Sequence, residues 1–406
     1  MRWTLVLTVW VGSLCAADWP QFLGPERTGV SAETGLLRAW PAGAPKMLWK
    51  FGLGVGFGGA AVEGGKAYVL DRVNHAQDVL RCLDLATGKE EWNVSWDVAG
   101  KHDFPGSRST PAVDAKHVFA IGPFGDFYCV DKATRKPLWR QNIVKDHGGS
   151  VPNWGVSQSP LLYGDWVVVA PQSGSVGLMA VEKATGKAVW KSPGGIGEMS
   201  YASPLPVKIG ASEQIVQLTF DGPTGVEART GKPLWRFGFS GKWPIANPTY
   251  LGNGVFFVVN AYGSGCAAFQ VTPNGTQPVF KHLLCETQIP TPVFHKGFIY
   301  TVGNNNKARE GLMCLSPDGK VVWKTGRTPN FERGNLLLAD GMLFVMGGDD
   351  GMLYLVEASP QAYKELARAK VLEGAGKQVW GPIALADGHL LVRDQHELRC
   401  FDVKGR

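Results

Sequence analysis

Cys82-Leu-Asp-Leu-Ala-Thr-Gly-Lys-Glu-Glu-Trp92 decides the fold, because the chain writes it repeatedly. Cys129-Val-Asp-Lys-Ala-Thr-Arg-Lys-Pro-Leu-Trp139 echoes it, followed by Ala180-Val-Glu-Lys-Ala-Thr-Gly-Lys-Ala-Val-Trp190 and Gly225-Val-Glu-Ala-Arg-Thr-Gly-Lys-Pro-Leu-Trp235. A shortened copy runs Cys314-Leu-Ser-Pro-Asp-Gly-Lys-Val-Val-Trp323. A degenerate one begins at Ala268, with Asn274-Gly275 at its turn and Phe280 near the Trp position. Two more are recognisable by context, at Tyr354-Leu-Val-Glu357 and Arg399-Cys-Phe-Asp402. A period of roughly 40–50 residues marks a repeat architecture.

Each copy has a physical reading. Lys66-Ala-Tyr-Val-Leu70, Trp166-Val-Val-Val-Ala170 and Gly254-Val-Phe-Phe-Val-Val-Asn260 are short runs of strand-forming residues bounded by Gly or Asp. The Asp/Glu-x-x-Thr-Gly-Lys element is a hairpin turn: its acidic side chain accepts local N–H groups and its Gly takes a positive φ. The Trp four residues after that Gly sits on the outgoing strand. Four strands per unit at this period predict an all-β, eight-bladed β-propeller of four-stranded antiparallel blades. The outgoing-strand positions are Trp49, Trp92, Trp139, Trp190, Trp235, Phe280, Trp323 and a degenerate one near Leu366.

The ends of the chain fit that count. The sequence stops just after the third strand of its last unit, while Lys46-Met-Leu-Trp-Lys50 is an outgoing strand with no unit before it. The strand around Trp49 is therefore expected to complete the last blade and close the ring, which removes open sheet edges. Residues 46–406 form one propeller, and 18–45 precede it. A helical turn is expected after Ser359-Pro360, since Pro is accepted at a first helical position. Composition agrees. Glycine makes up 53 of 406 residues, about 13% against a usual ~7%, which suits many turns and disfavours helical bundles. A hydrophobic share of 44% excludes disorder.

Residues 1–17 read as a cleaved export signal. Arg2 is positive, Trp3 to Leu14 is apolar, and Cys15-Ala16-Ala17 supplies small residues. A lipoprotein anchor at Cys15 is the lesser alternative, because Leu14 stands where a small residue is wanted. The expected location is periplasmic or secreted. No later stretch is apolar enough to span a bilayer as a helix. The net charge of +6 is dispersed and gives no reason to expect nucleic acid or anionic lipid.

The repeat resembles the tryptophan-docking motif, Ala-x-Asp-x-x-Thr-Gly-x-x-x-Trp, of propellers of the pyrroloquinoline-quinone (PQQ) type. The resemblance covers essentially everything after the signal. It implies one of two branches: quinoprotein alcohol dehydrogenases, or cofactor-free proteins that include the propeller subunit of the outer-membrane barrel-assembly machinery. The dehydrogenases carry long insertions between blades that this chain lacks. Asp18-Trp-Pro-Gln-Phe-Leu-Gly-Pro-Glu-Arg-Thr-Gly-Val30 is similar to the opening of secreted PQQ-like repeat proteins.

Cys82, Cys129, Cys314 and Cys400 occupy one repeat position that other blades fill with Ala180, Gly225, Ala268 and Leu355, so it reads as a packing slot. Cys266 and Cys285 fall outside it, and whether they pair is left open. No Cys-x-x-Cys and no His/Cys cluster suggests zinc, and no metal site is expected. Gly54-Val-Gly-Phe-Gly-Gly59 matches a dinucleotide fingerprint formally but leads into a strand, without the helix N-terminus such a site needs.

Propeller sites gather where each blade's inner strand begins. There the chain places Arg108, Trp154, Glu198, Trp243, Asn247, Arg333 and Trp380, expected to bind a ligand or peptide at the channel mouth. The alternative is that they hydrogen-bond neighbouring blades. No catalytic residue is assigned. The resemblance implies a Ca²⁺ held by a Glu, an Asn and an Asp, with PQQ stacked on a Trp. Glu198 and Asn247 stand at suitable blade starts and Trp243 or Trp380 could stack, but Glu286-Thr-Gln-Ile-Pro290 offers no Asp. The favoured expectation is therefore a monomeric, non-catalytic binding or assembly scaffold for a protein segment, without a cofactor. A PQQ-dependent or sugar-related oxidoreductase is the alternative.

Overall fold

Eight sheets of four strands each are arranged in sequence order around a central channel. The structure, a computed structural model, describes residues 18–195, 198–304, 309–374 and 378–405. The export signal and the alternative anchor at Cys15 lie outside the described residues. Blade one spans 61–97, two 112–142, three 161–193, four 205–236, five 249–282, six 293–324 and seven 336–370. Blade eight comprises three C-terminal strands within 384–402 and, as its outermost strand, Lys46–Gly52. The ring closes as expected, with Trp49 opposite Cys400. Every ladder within the blades is antiparallel. Among the described residues the helical pieces are two single 3-10 turns, Pro41–Gly43 and Lys145–His147. The turn expected after Ser359-Pro360 is not helical.

The repeat slot faces the aromatic position in register: Cys82 opposes Trp92, Cys129 Trp139, Ala180 Trp190, Gly225 Trp235, Ala268 Phe280 and Cys314 Trp323. At Gly225 no side chain fits, since an added Cβ would lie 2.3 Å from the Trp235 ring. In blade seven the opposing residue is Ala367; Leu366, one position earlier, is the extra residue of a β-bulge. The same bulge recurs beside the slot in every blade. It kinks the outermost strands, whose free edges would otherwise invite pairing with another chain.

Trp49, Trp139, Trp190, Phe280 and Trp323 reach the hairpin turn of the next blade, whereas Trp235 Nε1 donates to Gln214 Oε1 of its own blade. Trp49 Nε1 donates to the Leu85 carbonyl at 2.7 Å, Trp139 Nε1 to Lys183 at 2.9 Å, and Trp323 Nε1 to Ser359 at 2.9 Å. The rings lie on the turn glycines: a Cβ on Gly88 would sit 2.4 Å from Trp49, and one on Gly231 2.4 Å from Trp190. Asp84 Oδ1 accepts both the N–H and the hydroxyl of Thr87 (3.0 and 2.8 Å), and Asp131 does the same for Thr134. The core is accordingly the set of apolar layers between successive sheets, such as Phe119, Phe127 and Cys129 of blade two against Val167, Val169 and Val181 of blade three.

The glycine-rich run 54–59 is the seam between blades eight and one. Arg393, fully buried, donates to the carbonyls of Gly58 (3.0 Å) and Gly54 (3.2 Å). Side chains on Gly56 or Gly58 would collide with Arg393, Ser107 or Ser109. Residues 18–31 run along the channel wall. Trp19 pairs with Val62 of blade one, Pro20 accepts from Val113 N of blade two, and Gln21 accepts from Leu162 N of blade three. The buried Arg27 guanidinium then clamps the carbonyls of Pro160 (2.7 Å) and Ser159 (3.1 Å), and Val30 bridges to Leu338 of blade seven.

Candidate functional site

The loops that carry the chain from one blade's outermost strand to the next blade's innermost strand converge on one cavity of about 430 Å³. All eight contribute. Phe57 precedes blade one, Arg108 blade two, Trp154 three, Tyr201 four, Asn247 five, Gln288 six, Arg333 seven and Trp380 eight. Phe22 of the N-terminal segment lines it as well, as do Tyr262 and Asp349 from loops between second and third strands.

A short pattern builds this cup. Five inner strands are preceded by Pro111, Pro160, Pro204, Pro248 and Pro292. Three residues before each Pro stands a lining residue: Arg108, Ser157, Tyr201, Ile245 or Ile289. Immediately before it stands a small polar residue that joins the blades. Gly59 N donates to Thr110 Oγ1 (3.1 Å), Thr110 N to Ser159 Oγ (2.9 Å), and Ser159 N to Ser203 Oγ (2.9 Å). Ser203 N donates to Asn247 Oδ1 (2.9 Å) and Asn247 N to Thr291 Oγ1 (3.1 Å). Asn247 Nδ2 returns a bond to the Ser203 carbonyl at 3.0 Å. Its amide is thus spent on the neighbouring blade, although the residue borders the cup.

Of the seven residues singled out from sequence, the structure brings Arg108, Trp154, Asn247, Arg333 and Trp380 to the cup wall. Trp243 stands against Trp154, ring centroids 4.8 Å apart, but does not line the cavity. Glu198 is exposed and lies off it. Phe57, Phe104, Tyr201, Gln288, Tyr262 and Asp349 were not singled out. For Tyr201 the available signal was its place three residues before Pro204.

The wall is aromatic and cationic. Phe57 stacks on Trp380 at 5.3 Å; the Arg108 guanidinium lies 4.8 Å from the Phe57 ring centre and that of Arg333 5.3 Å from the Trp380 ring centre. Trp154 meets Phe104 edge-on and packs on Tyr201 at 5.3 Å. Arg108 donates to the Phe104 carbonyl and Arg333 to Gln288 Oε1. Burial holds the Arg108 guanidinium down at about 10, since a desolvated cation is disfavoured. Its Nε finds no acceptor among the described residues, and neither does Trp380 Nε1. Asp349 is the single lining carboxylate among the described residues, and burial pushes it up.

These residues do not fit the cation and quinone set that the resemblance implies. Glu198 is outside the cup, the Asn247 amide is committed to Ser203, and the Trp380 ring already carries Phe57 and Arg333. Among the described residues no three His, Cys, Asp or Glu side chains group to hold a metal. The cup's described lining includes no histidine and no thiol; its ionisable and hydroxyl groups are Arg108, Arg333, Asp349, Tyr201, Tyr262, Ser157 and Ser203. No helix among the described residues is long and apolar enough to cross a membrane.

Residues 75–236 match the PQQ-type family model described as outer membrane protein assembly factor BamB. The match ends at the close of blade four; blade five replaces the repeat Trp with Phe280. No curated protein matches the sequence. Among solved structures, a europium-containing methanol dehydrogenase aligns with TM-score 0.70 at 13% identity, covering 93% of this chain and 89% of that one. BamB from Moraxella catarrhalis aligns with TM-score 0.63 at 14% identity, covering 89% and 98%. Quinohemoprotein alcohol dehydrogenase from Comamonas testosteroni aligns with TM-score 0.65 at 14% identity, covering 96% and 81%. At such identities the likeness shows the fold alone, a β-propeller.

Proposed function

We propose that this PQQ-like propeller is an exported, non-catalytic scaffold that holds a segment of a protein partner in the cup at its channel mouth. The observation that carries the reading is the Arg108 guanidinium, desolvated in an aromatic wall with an unpartnered Nε. Such a cation favours a ligand that brings a carboxylate, and the surrounding Phe57, Trp154 and Trp380 favour an apolar or aromatic side chain beside it. The rim argues for a protein rather than a small solute. Tyr262, which lines the cup, is 44% exposed, and Leu283 and Leu284, at the start of the loop that carries Gln288 into it, are 68% and 55% exposed. Exposed apolar groups around a cup with large aromatic side chains are what a protein interface buries. Rigid loops clustered at one end of a propeller suit that use.

Export rests on the sequence of residues 1–17, and assembly of outer-membrane proteins is the role that the matching family's description suggests for the partner. The alternative, a PQQ-dependent or sugar-related oxidoreductase, stands on fold likeness alone.

A photo-crosslinking amino acid in place of Leu284, introduced in the native envelope, tests the scaffold. The expected result is a discrete protein adduct that disappears when Arg108→Ala is added while the thermal midpoint holds. Adducts indifferent to Arg108→Ala, or none, would count against it.

A further inference from the structure

We propose that Cys266 and Cys285 form a disulfide in the mature protein, a staple at the blade-five edge of the cup. Both are thiols in the structure and fully buried. Cys266 opens the third strand of blade five, Gly265–Thr272, opposite His282 at the end of the outermost strand, Gly275–His282. Leu283 and Leu284 then project outward, and the chain turns back so that Cys285 joins Cys266 in one apolar cluster. Beside Cys285, the Cys266 thiol is pushed up. The other four cysteines of residues 18–406 have different surroundings: each lies in the repeat slot of its own blade, opposite Trp92, Trp139, Trp323 or Trp49.

His282 is placed to assist. Its Nε2 bonds to the Gly319 carbonyl at 2.8 Å, which must accept, so Nε2 carries the proton and Nδ1 is bare. Nδ1 lies 3.3 Å from Cys266 Sγ and can receive the thiol proton. The neighbouring Cys285 thiol and burial both oppose the thiolate, pushing Cys266 up, so the exchange requires the 283–285 turn to be open to the donor while His282 is held by Gly319.

The oxidant is a disulfide donor of an oxidising compartment. The first protein thiolate attacks the donor's S–S bond, forming a mixed disulfide and releasing one donor thiol. The second protein thiolate displaces the other donor thiol. Two protons and two electrons leave the cysteine pair, and the donor disulfide is reduced to two thiols.

The staple has a purpose at the cup. Cys285 begins the segment that lines it: Glu286 Oε1 accepts from Gly263 N at 2.7 Å, and Gln288 accepts from Arg333. Closing the bond fixes this wall and the two exposed leucines together.

The test is to refold the protein lacking residues 1–17 from denaturant in reduced and oxidised glutathione, then digest it without reductant. Trypsin cuts after Lys281, between the two cysteines, so the expected product is peptide 243–281 linked to peptide 282–296. Four free thiols should remain of the six in residues 18–406. A Cys266→Ser variant, checked by circular dichroism for native strand content, should lose the linked pair and show five free thiols. Six free thiols in the folded wild-type protein, or linkage among other cysteines, would overturn the proposal.

Discussion

Gly88 shows how much of this molecule is decided by single atoms. It has φ +70 and carries the Trp49 ring where a Cβ would be, 2.4 Å away. Gly88→Ala should therefore cost about 2–3 kcal/mol, combining left-handed strain with overpacking. Gly64→Ala is the control: φ is +59 but the space is open, so only about 1 kcal/mol should be lost. Urea unfolding of the two variants measures the difference. The turn carboxylates make a second prediction. Asp84 is held at about 2, below its ordinary 3.8, by Lys66 and Thr87. A carboxylate depressed by folding stabilises above its unfolded value, and that share is lost as pH falls from about 4 towards 2. Because Asp84 is largely solvated, Asp84→Asn should cost only about 1 kcal/mol at pH 6 and nothing near pH 2. Equal costs at both values would show that the turn does not depend on the charge.

At the scale of the element, the blade start turns out to be two devices in four residues, a cup residue and a belt residue before Pro. Asn247 belongs mainly to the belt. Asn247→Ala should cost about 2 kcal/mol, because the buried Ser203 N–H and carbonyl lose their partner. A thermal midpoint that does not move would return Asn247 to the cup as a ligand-binding residue. The sequence alone left these two roles balanced. Hairpin turns, strand order and ring closure were legible because each repeats locally. Blade seven shows the limit: Leu366 was placed near the aromatic position, but the bulge puts Ala367 opposite Leu355. Glu198 shows another, since nothing in Glu198-Met-Ser-Tyr201 says which residue of a loop faces the channel; the burial of Tyr201 and exposure of Glu198 follow from the neighbouring blades.

For the whole molecule, the eight loops make a rigid cup, and residues 18–31 run past it inside the channel. That path had no local signal. Arg27 bonds the carbonyls of Ser159 and Pro160, more than 130 residues away, and no spacing pattern records such a contact. As proposed, the cup is a binding surface rather than a quinone-dependent active centre. The direct test is to incubate purified mature protein with PQQ and Ca²⁺, remove free quinone by gel filtration, and assay dye-linked alcohol and aldose oxidation. No retained quinone absorbance and no turnover are expected. Stoichiometric retention with turnover would contradict this reading.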